Sequence, residues 1–71
     1  MKFYRNYKFE KGKIYSIEQG LKCYFGEFKE EKNGIYTFTE YVLDPESNFS
    51  DLIPIDTIQF TTKDLIGANI Y

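Results

Sequence analysis

Histidine and tryptophan are absent from this chain of 71 residues, and cysteine, arginine and alanine occur once each, at Cys23, Arg5 and Ala68. Without histidine there is no imidazole to act as a general base or to activate a serine or cysteine, and most zinc sites lose a ligand. A single cysteine excludes a disulfide within the chain. No apolar run approaches the roughly 20 residues that span a bilayer, and the N-terminus lacks the apolar stretch of a signal peptide. Glycine-rich phosphate loops and the strained serine elbow of hydrolases are missing too. These absences predict a non-enzymatic protein with no cofactor, no metal and no membrane association. The cytoplasm is the expected setting, that of a host cell if a phage encodes the protein.

Rings are plentiful. Seven Phe and seven Tyr make up 20% of the chain, within a hydrophobic fraction of 42%. That is too apolar for a disordered chain, and the length allows one domain, residues 1–71. A domain this small buries only about 60% of its unfolded surface, so large side chains or self-association must supply stability. Fourteen rings exceed what one small barrel encloses, and the excess points to a contact surface.

The chain reads as β almost throughout. Lys2 to Phe9, Lys13 to Glu18, Leu21 to Lys29, Ile35 to Leu43 and Leu52 to Phe60 are strand-like, separated by turn signals about every ten residues. Asn33-Gly34, closing the segment Glu30 to Gly34, suits a type I′ hairpin turn. Tyr36, Phe38 and Val42 alternate with Ile35, Thr37, Thr39 and Tyr41 across two faces. Cys23, alternating with Leu21 and Phe25, reads as a small buried hydrophobe. Pro54 suits an edge strand or a strand that breaks near Asp56-Thr57, and Thr61 to Asp64 suits a turn or the cap of one helical turn. The closing Asn69-Ile70-Tyr71 predicts a docked C-terminus. The expected fold is all-β, or β with one short helical turn. It is either a small five- to six-stranded SH3-like or Sm-like barrel, with an OB-like barrel next, or a strongly bent antiparallel sheet. Ile53 to Ile58 resembles the strand-to-turn passage before the last strand of SH3-like barrels.

Charge is segregated although the net value is only −2. Residues 33–62 carry Glu40, Asp44, Glu46, Asp51 and Asp56 and no basic residue. This stretch predicts an acidic patch that docks on a basic partner surface. Tyr36, Tyr41 and Phe49 are the expected anchors, rimmed by Glu40, Asp44, Glu46 and Asp51. Asp44, Glu46, Asn48 and Asp51 have spacings like those of a calcium loop. Phe49 and Ile55 stand where such a loop needs its glycine and its bidentate glutamate, so calcium is not expected. The run Lys2 to Phe9 interleaves rings with basic groups. It supports an alternative function, a nucleic-acid platform made of Lys2, Tyr4, Arg5, Tyr7 and Lys8. A self-assembling structural protein is a further alternative, with rings packed between subunits of a homo-oligomer.

Pro54, Thr57, Gln59-Phe60-Thr61, Lys63-Asp64, Gly67 and Ile70-Tyr71 together resemble a stretch of the phage YopX-like proteins. The alignment takes a one-residue gap after Thr61, where the family has a glycine that this chain lacks. The resemblance covers about a quarter of the chain. It implies a phage or prophage source and an assembly-prone β fold, and it carries over no catalytic residue. The reading that follows is a small β domain from a phage or mobile element that binds a protein, plausibly inhibiting a host defence enzyme.

Overall fold

The structure, a computed structural model, describes residues 8–71. Four strands run as an antiparallel meander: β1 (Ile14–Gln19), β2 (Lys22–Lys32), β3 (Ile35–Leu43) and β4 (Leu52–Thr61). A one-turn helix, α1 (Thr62–Ile66), leads to the short β5 (Asn69–Ile70), which returns to pair with β1. The resulting order is β4-β3-β2-β1-β5. The one-turn helix lies between the fourth and fifth strands. Among the described residues no ladder joins β4 to β5, so the sheet stays open and bends strongly instead. The Gln19 side-chain amide donates to the Asp64 carbonyl at 3.1 Å, linking the end of β1 to α1.

Local chemistry explains each corner. Asn33 (φ 53°) and Gly34 (φ 79°) both occupy left-handed backbone, which makes the type I′ turn between Lys32 and Ile35. The turn is only these two residues, because β2 continues through Glu30 and Glu31. Lys29 is an extra residue between the pairs Phe28↔Phe38 and Glu30↔Thr37, and this bulge resets the alternation of β2. Helix α1 begins at a capping box. The Thr61 side chain accepts from Asp64 N–H at 3.1 Å, while the Asp64 carboxylate accepts from Thr61 N–H at 2.9 Å. Hydrogen bonding to the carboxylate from the Thr61 backbone N–H, and then from the Thr61 side chain, holds the Asp64 carboxyl below its ordinary pKa. The expected helical turn is therefore present, although β4 runs unbroken past Ile53–Ile58 to reach it. The strand expected at Lys2–Phe9 lies outside the described residues up to Tyr7, and Lys8 and Phe9 are not in a strand.

The concave face holds the core. Tyr15 and Ile17 of β1 and Phe28, Phe38 and Phe60 of the next three strands are buried there with Leu65, Ala68 and Ile70. Phe9 lies over them, edge-on to Tyr15 at 4.9 Å and to Phe38 at 5.1 Å, and stacked on Phe28 at 5.3 Å. The bend brings Tyr24 of β2 within 5.7 Å of Phe60 of β4, although β3 separates their strands. Gly26 permits this packing, because a Cβ there would stand 3.1 Å from Phe38 Cδ2. Alternation places Tyr24, Gly26 and Phe28 inward, which turns Cys23 and Phe25 outward. Cys23 is exposed, contrary to its expected burial. The apolar spacing Leu21-Cys23-Phe25 offered the wrong face, since the larger inward set is decided by Phe28 pairing with Phe38.

β4 is an edge strand, as Pro54 suggested, and its edge is blunted. Ile55 is the extra residue of a second bulge, between the pairs Glu40↔Asp56 and Tyr41↔Pro54. Asp56 Oδ1 takes the Thr57 N–H at 2.8 Å and Asp64 Oδ2 takes that of Thr61. Proline, a bulge and captured amides all oppose pairing with another chain. Two outcomes are expected. Gly26→Ala lowers unfolding stability by about 1–3 kcal/mol by crowding Phe38, measured by chemical denaturation. Asp56→Ala releases the Thr57 amide and speeds aggregation, measured by light scattering at constant temperature.

Candidate functional site: the outer face of the sheet

Residues 8–71 contain eleven of the fourteen rings. Seven of them form the core or pack against it: Phe9, Tyr15, Tyr24, Phe28, Tyr36, Phe38 and Phe60. The other four are Phe25, Tyr41, Phe49 and Tyr71. Phe25, Tyr41 and Tyr71 are on the outer face in one row across the sheet. Ser16 pairs with Phe25, Phe25 with Tyr41, and Tyr41 with Pro54. Tyr71 joins at the other end, because its N–H donates to Ser16 O at 2.9 Å and its carbonyl accepts from Ser16 N–H at 3.1 Å. Directly opposed residues share a face, so the order along the row is Tyr71, Ser16, Phe25, Tyr41, Pro54. Five strands at about 4.8 Å spacing give the row a length of roughly 19 Å. Phe25 keeps 37% of its surface exposed and Tyr71 50%, while Ile14, Leu43 and Leu52 extend the apolar surface to either side.

Carboxylates orient two of these rings. The Tyr41 hydroxyl donates to Glu27 Oε1 at 2.6 Å, and the Tyr71 hydroxyl donates to Glu18 Oε1 at 3.0 Å. Glu27 also takes Lys29 Nζ at 3.2 Å. The Tyr41 hydrogen bond, followed by the one from Lys29, holds the Glu27 carboxyl below its ordinary pKa. The same bonds to glutamate raise both phenols, since a donated proton is harder to lose: Tyr41 through Glu27, Tyr71 through Glu18. Cys23 is part of this face, with its Sγ 3.5 Å from Ser16 Oγ. A shallow groove of about 330 Å³ lies toward the β2–β3 turn, lined by Glu30, Lys32, Asn33, Ile35, Thr37 and Gln59.

Phe49 belongs to a different feature. The β3–β4 connection folds on itself around a single 3₁₀ turn at Pro45–Ser47. Asp44 Oδ1 accepts from Glu46 N–H at 3.0 Å, and the Asp44 carbonyl accepts from Phe49 N–H at 2.8 Å. Asp44 N–H donates to the Asp51 carbonyl at 2.8 Å, closing the loop. Asn48 (φ 57°) and Phe49 (φ 61°) are both left-handed, a conformation that disfavours a bulky side chain. The loop nevertheless presents Phe49 at 60% exposure.

The residues expected from the sequence are therefore split. Asp44, Glu46, Phe49 and Asp51 gather in the connection, and Tyr41 stands on the outer face near its base. Glu40 faces the concave side, directly opposite Asp56. Tyr36 is half-buried against the core, its ring centroid 5.7 Å from that of Phe9, on the face of β3 opposite Tyr41. It does not join the other two anchors, because alternation separates residues 36 and 41. The sequence pattern marks neither Phe25 nor Tyr71 as an anchor. The Leu21-Cys23-Phe25 spacing predicts a buried face for Phe25, and only the return of β5 places Tyr71 beside Ser16. Of the alternative nucleic-acid set, Lys2, Tyr4, Arg5 and Tyr7 lie outside the described residues and Lys8 is exposed. Among the described residues no group of three or more acidic or thiol side chains is arranged to hold a metal ion, and no helix is long and apolar enough to cross a membrane.

Two consequences are measurable. Glu27 has a lowered folded-state pKa, so its contribution to stability is present above the ordinary value of 4.5 and is lost as the pH falls through the lowered one. Tyr41→Phe removes the main cause, and the Glu27 carboxyl then titrates closer to 4.5 in an NMR titration. Phe49→Asn relieves the left-handed strain and raises stability by about 0.5–1 kcal/mol, measured by thermal unfolding.

No protein-family model, curated protein or solved structure matches the chain.

Proposed function

We propose that this protein is a non-enzymatic binding module that docks onto another protein through the outer face of its sheet. The observation that carries this reading is the row of Phe25, Tyr41 and Tyr71, three rings that the core does not use, with Phe25 and Tyr71 exposed and Tyr41 half-exposed on the outer face. Exposed apolar surface costs solubility, and a contiguous patch of rings is the composition of an interface centre. Hydrogen bonds from Tyr41 and Tyr71 to glutamates fix those rings before binding, which reduces the entropy lost on association. The β3–β4 connection beside the row carries Asp44, Glu46 and Asp51, and no basic residue occurs between residues 33 and 62, which suits a partner with a basic surface. The C-terminal resemblance to phage YopX-like proteins implies a phage or prophage source, and the role proposed for a phage-encoded module of this kind is inhibition of a host defence enzyme.

The test compares capture by the native protein with capture by Phe25→Thr and Tyr41→Thr. Both positions are on the outer face, and retention of the fold is checked by circular dichroism. The expected result is one protein held by the native chain and weakened at least about tenfold by either change, the size of an interface hot spot. Equal capture by all three proteins overturns the reading.

A further inference from the structure

We infer that the row centred on Phe25 is a site for a cationic side chain, an arginine of the partner protein; this rests on the protein-binding reading above. Phe25 is the middle ring of the row, with Tyr41 on the adjacent strand and Tyr71 two strands away across Ser16. Glu27 is two residues from Phe25 on β2, and Glu18 is two residues from Ser16 on β1. The carboxylates therefore bracket the row on opposite sides, each roughly 7 Å along the strand direction. Glu27 accepts the Tyr41 hydroxyl at Oε1 and Lys29 Nζ at Oε2, Glu18 Oε1 accepts the Tyr71 hydroxyl and the Asn69 amide, and each carboxylate keeps further lone-pair positions for another donor. Ring faces flanked by carboxylates attract a cation through the ring quadrupole and through charge together. A guanidinium fits better than an ammonium, because it is planar, stacks on a ring and carries donors at its edge that reach outward to Glu27, the acid on the strand of Phe25.

A second copy of the chain is the poorer occupant. Two-fold pairing on this face about an axis across the strands would set one β3–β4 connection against another. Each carries Asp44, Glu46 and Asp51, with no lysine or arginine between residues 33 and 62. The arrangement thus selects a partner of opposite charge.

The experiment is an NMR titration of the full chain with a blocked Gly-Arg-Gly peptide, alongside the same peptide with neutral citrulline replacing arginine. The expected result is movement of the Phe25, Tyr41 and Tyr71 ring signals with the arginine peptide and not with citrulline. Glu18→Gln combined with Glu27→Gln weakens that response by about three- to fivefold, the range of a solvent-exposed cation–ring contact. Phe25→Thr abolishes it, and the glutamine pair gives an independent reading if that variant fails to fold. Equal response to citrulline, or signal movement confined to Asp44, Glu46 and Asp51, overturns the inference. A dimer in light scattering whose interface maps to the same rings overturns it too. Phe25-dependent capture of a protein that is unchanged in the glutamine pair removes the arginine site and leaves the protein-binding reading standing.

Discussion

The packing of Phe38 against Gly26 is the contact on which the rest of the structure depends. Phe38 is fully buried near the centre of β3, and its ring occupies the space that any side chain at position 26 would need. With that space open, β2 and β3 curl together, and the concave side becomes narrow enough for Tyr24 to meet Phe60 across β3. Leu65, Ala68 and Ile70 then close the hollow, and β5 is brought to the edge of β1. A small chain with one cysteine and no histidine has few other ways to reach a dense interior. Here dense means rings: Phe9, Phe28 and Phe38 meet within about 5.5 Å of one another.

The same curvature produces the candidate interface. When one face of a bent sheet takes Tyr15, Phe28, Phe38 and Phe60, alternation sends Ser16, Phe25 and Tyr41 to the other, and the bulge at Ile55 sends Pro54 there as well. The outer row is thus the geometric complement of the core, and its rings need a separate reason to be there. Glu18 and Glu27 show how the face tolerates them, by satisfying the phenols and keeping charge beside apolar surface. The β4 edge is treated differently. Pro54, the bulge at Ile55 and the captured amides of Thr57 and Thr61 discourage strand addition, which leaves the face, rather than the edge, as the surface open to a partner.

Much of the fold was legible because its signals are local. Asn33-Gly34 specifies a hairpin whatever surrounds it, and alternation through residues 35–42 assigned each side of β3. Thr61 and Asp64 announce a helix cap, and Pro54 announces an edge. The site was less legible. Tyr36 and Tyr41 are near in sequence and face opposite ways. Cys23 and Phe25 lie in an apolar alternation that looked like core, yet the competing set of Tyr24, Gly26 and Phe28 won. A glycine contributes nothing to a hydrophobic pattern, so the residue that selected the inward face of β2 was the one a pattern reading discounts.

The amino-acid sequence by itself determined that the protein is a small β domain without histidine chemistry, with more rings than it can bury and with an acidic stretch from residue 33 to 62. These follow from composition, alternation and turn residues, which act over a few positions. Tertiary structure alone decided which rings remain outside and where they meet. That outcome depends on the register of β1, β2 and β3 and on the return of Tyr71 to Ser16 from 55 positions away, contacts that no local preference encodes.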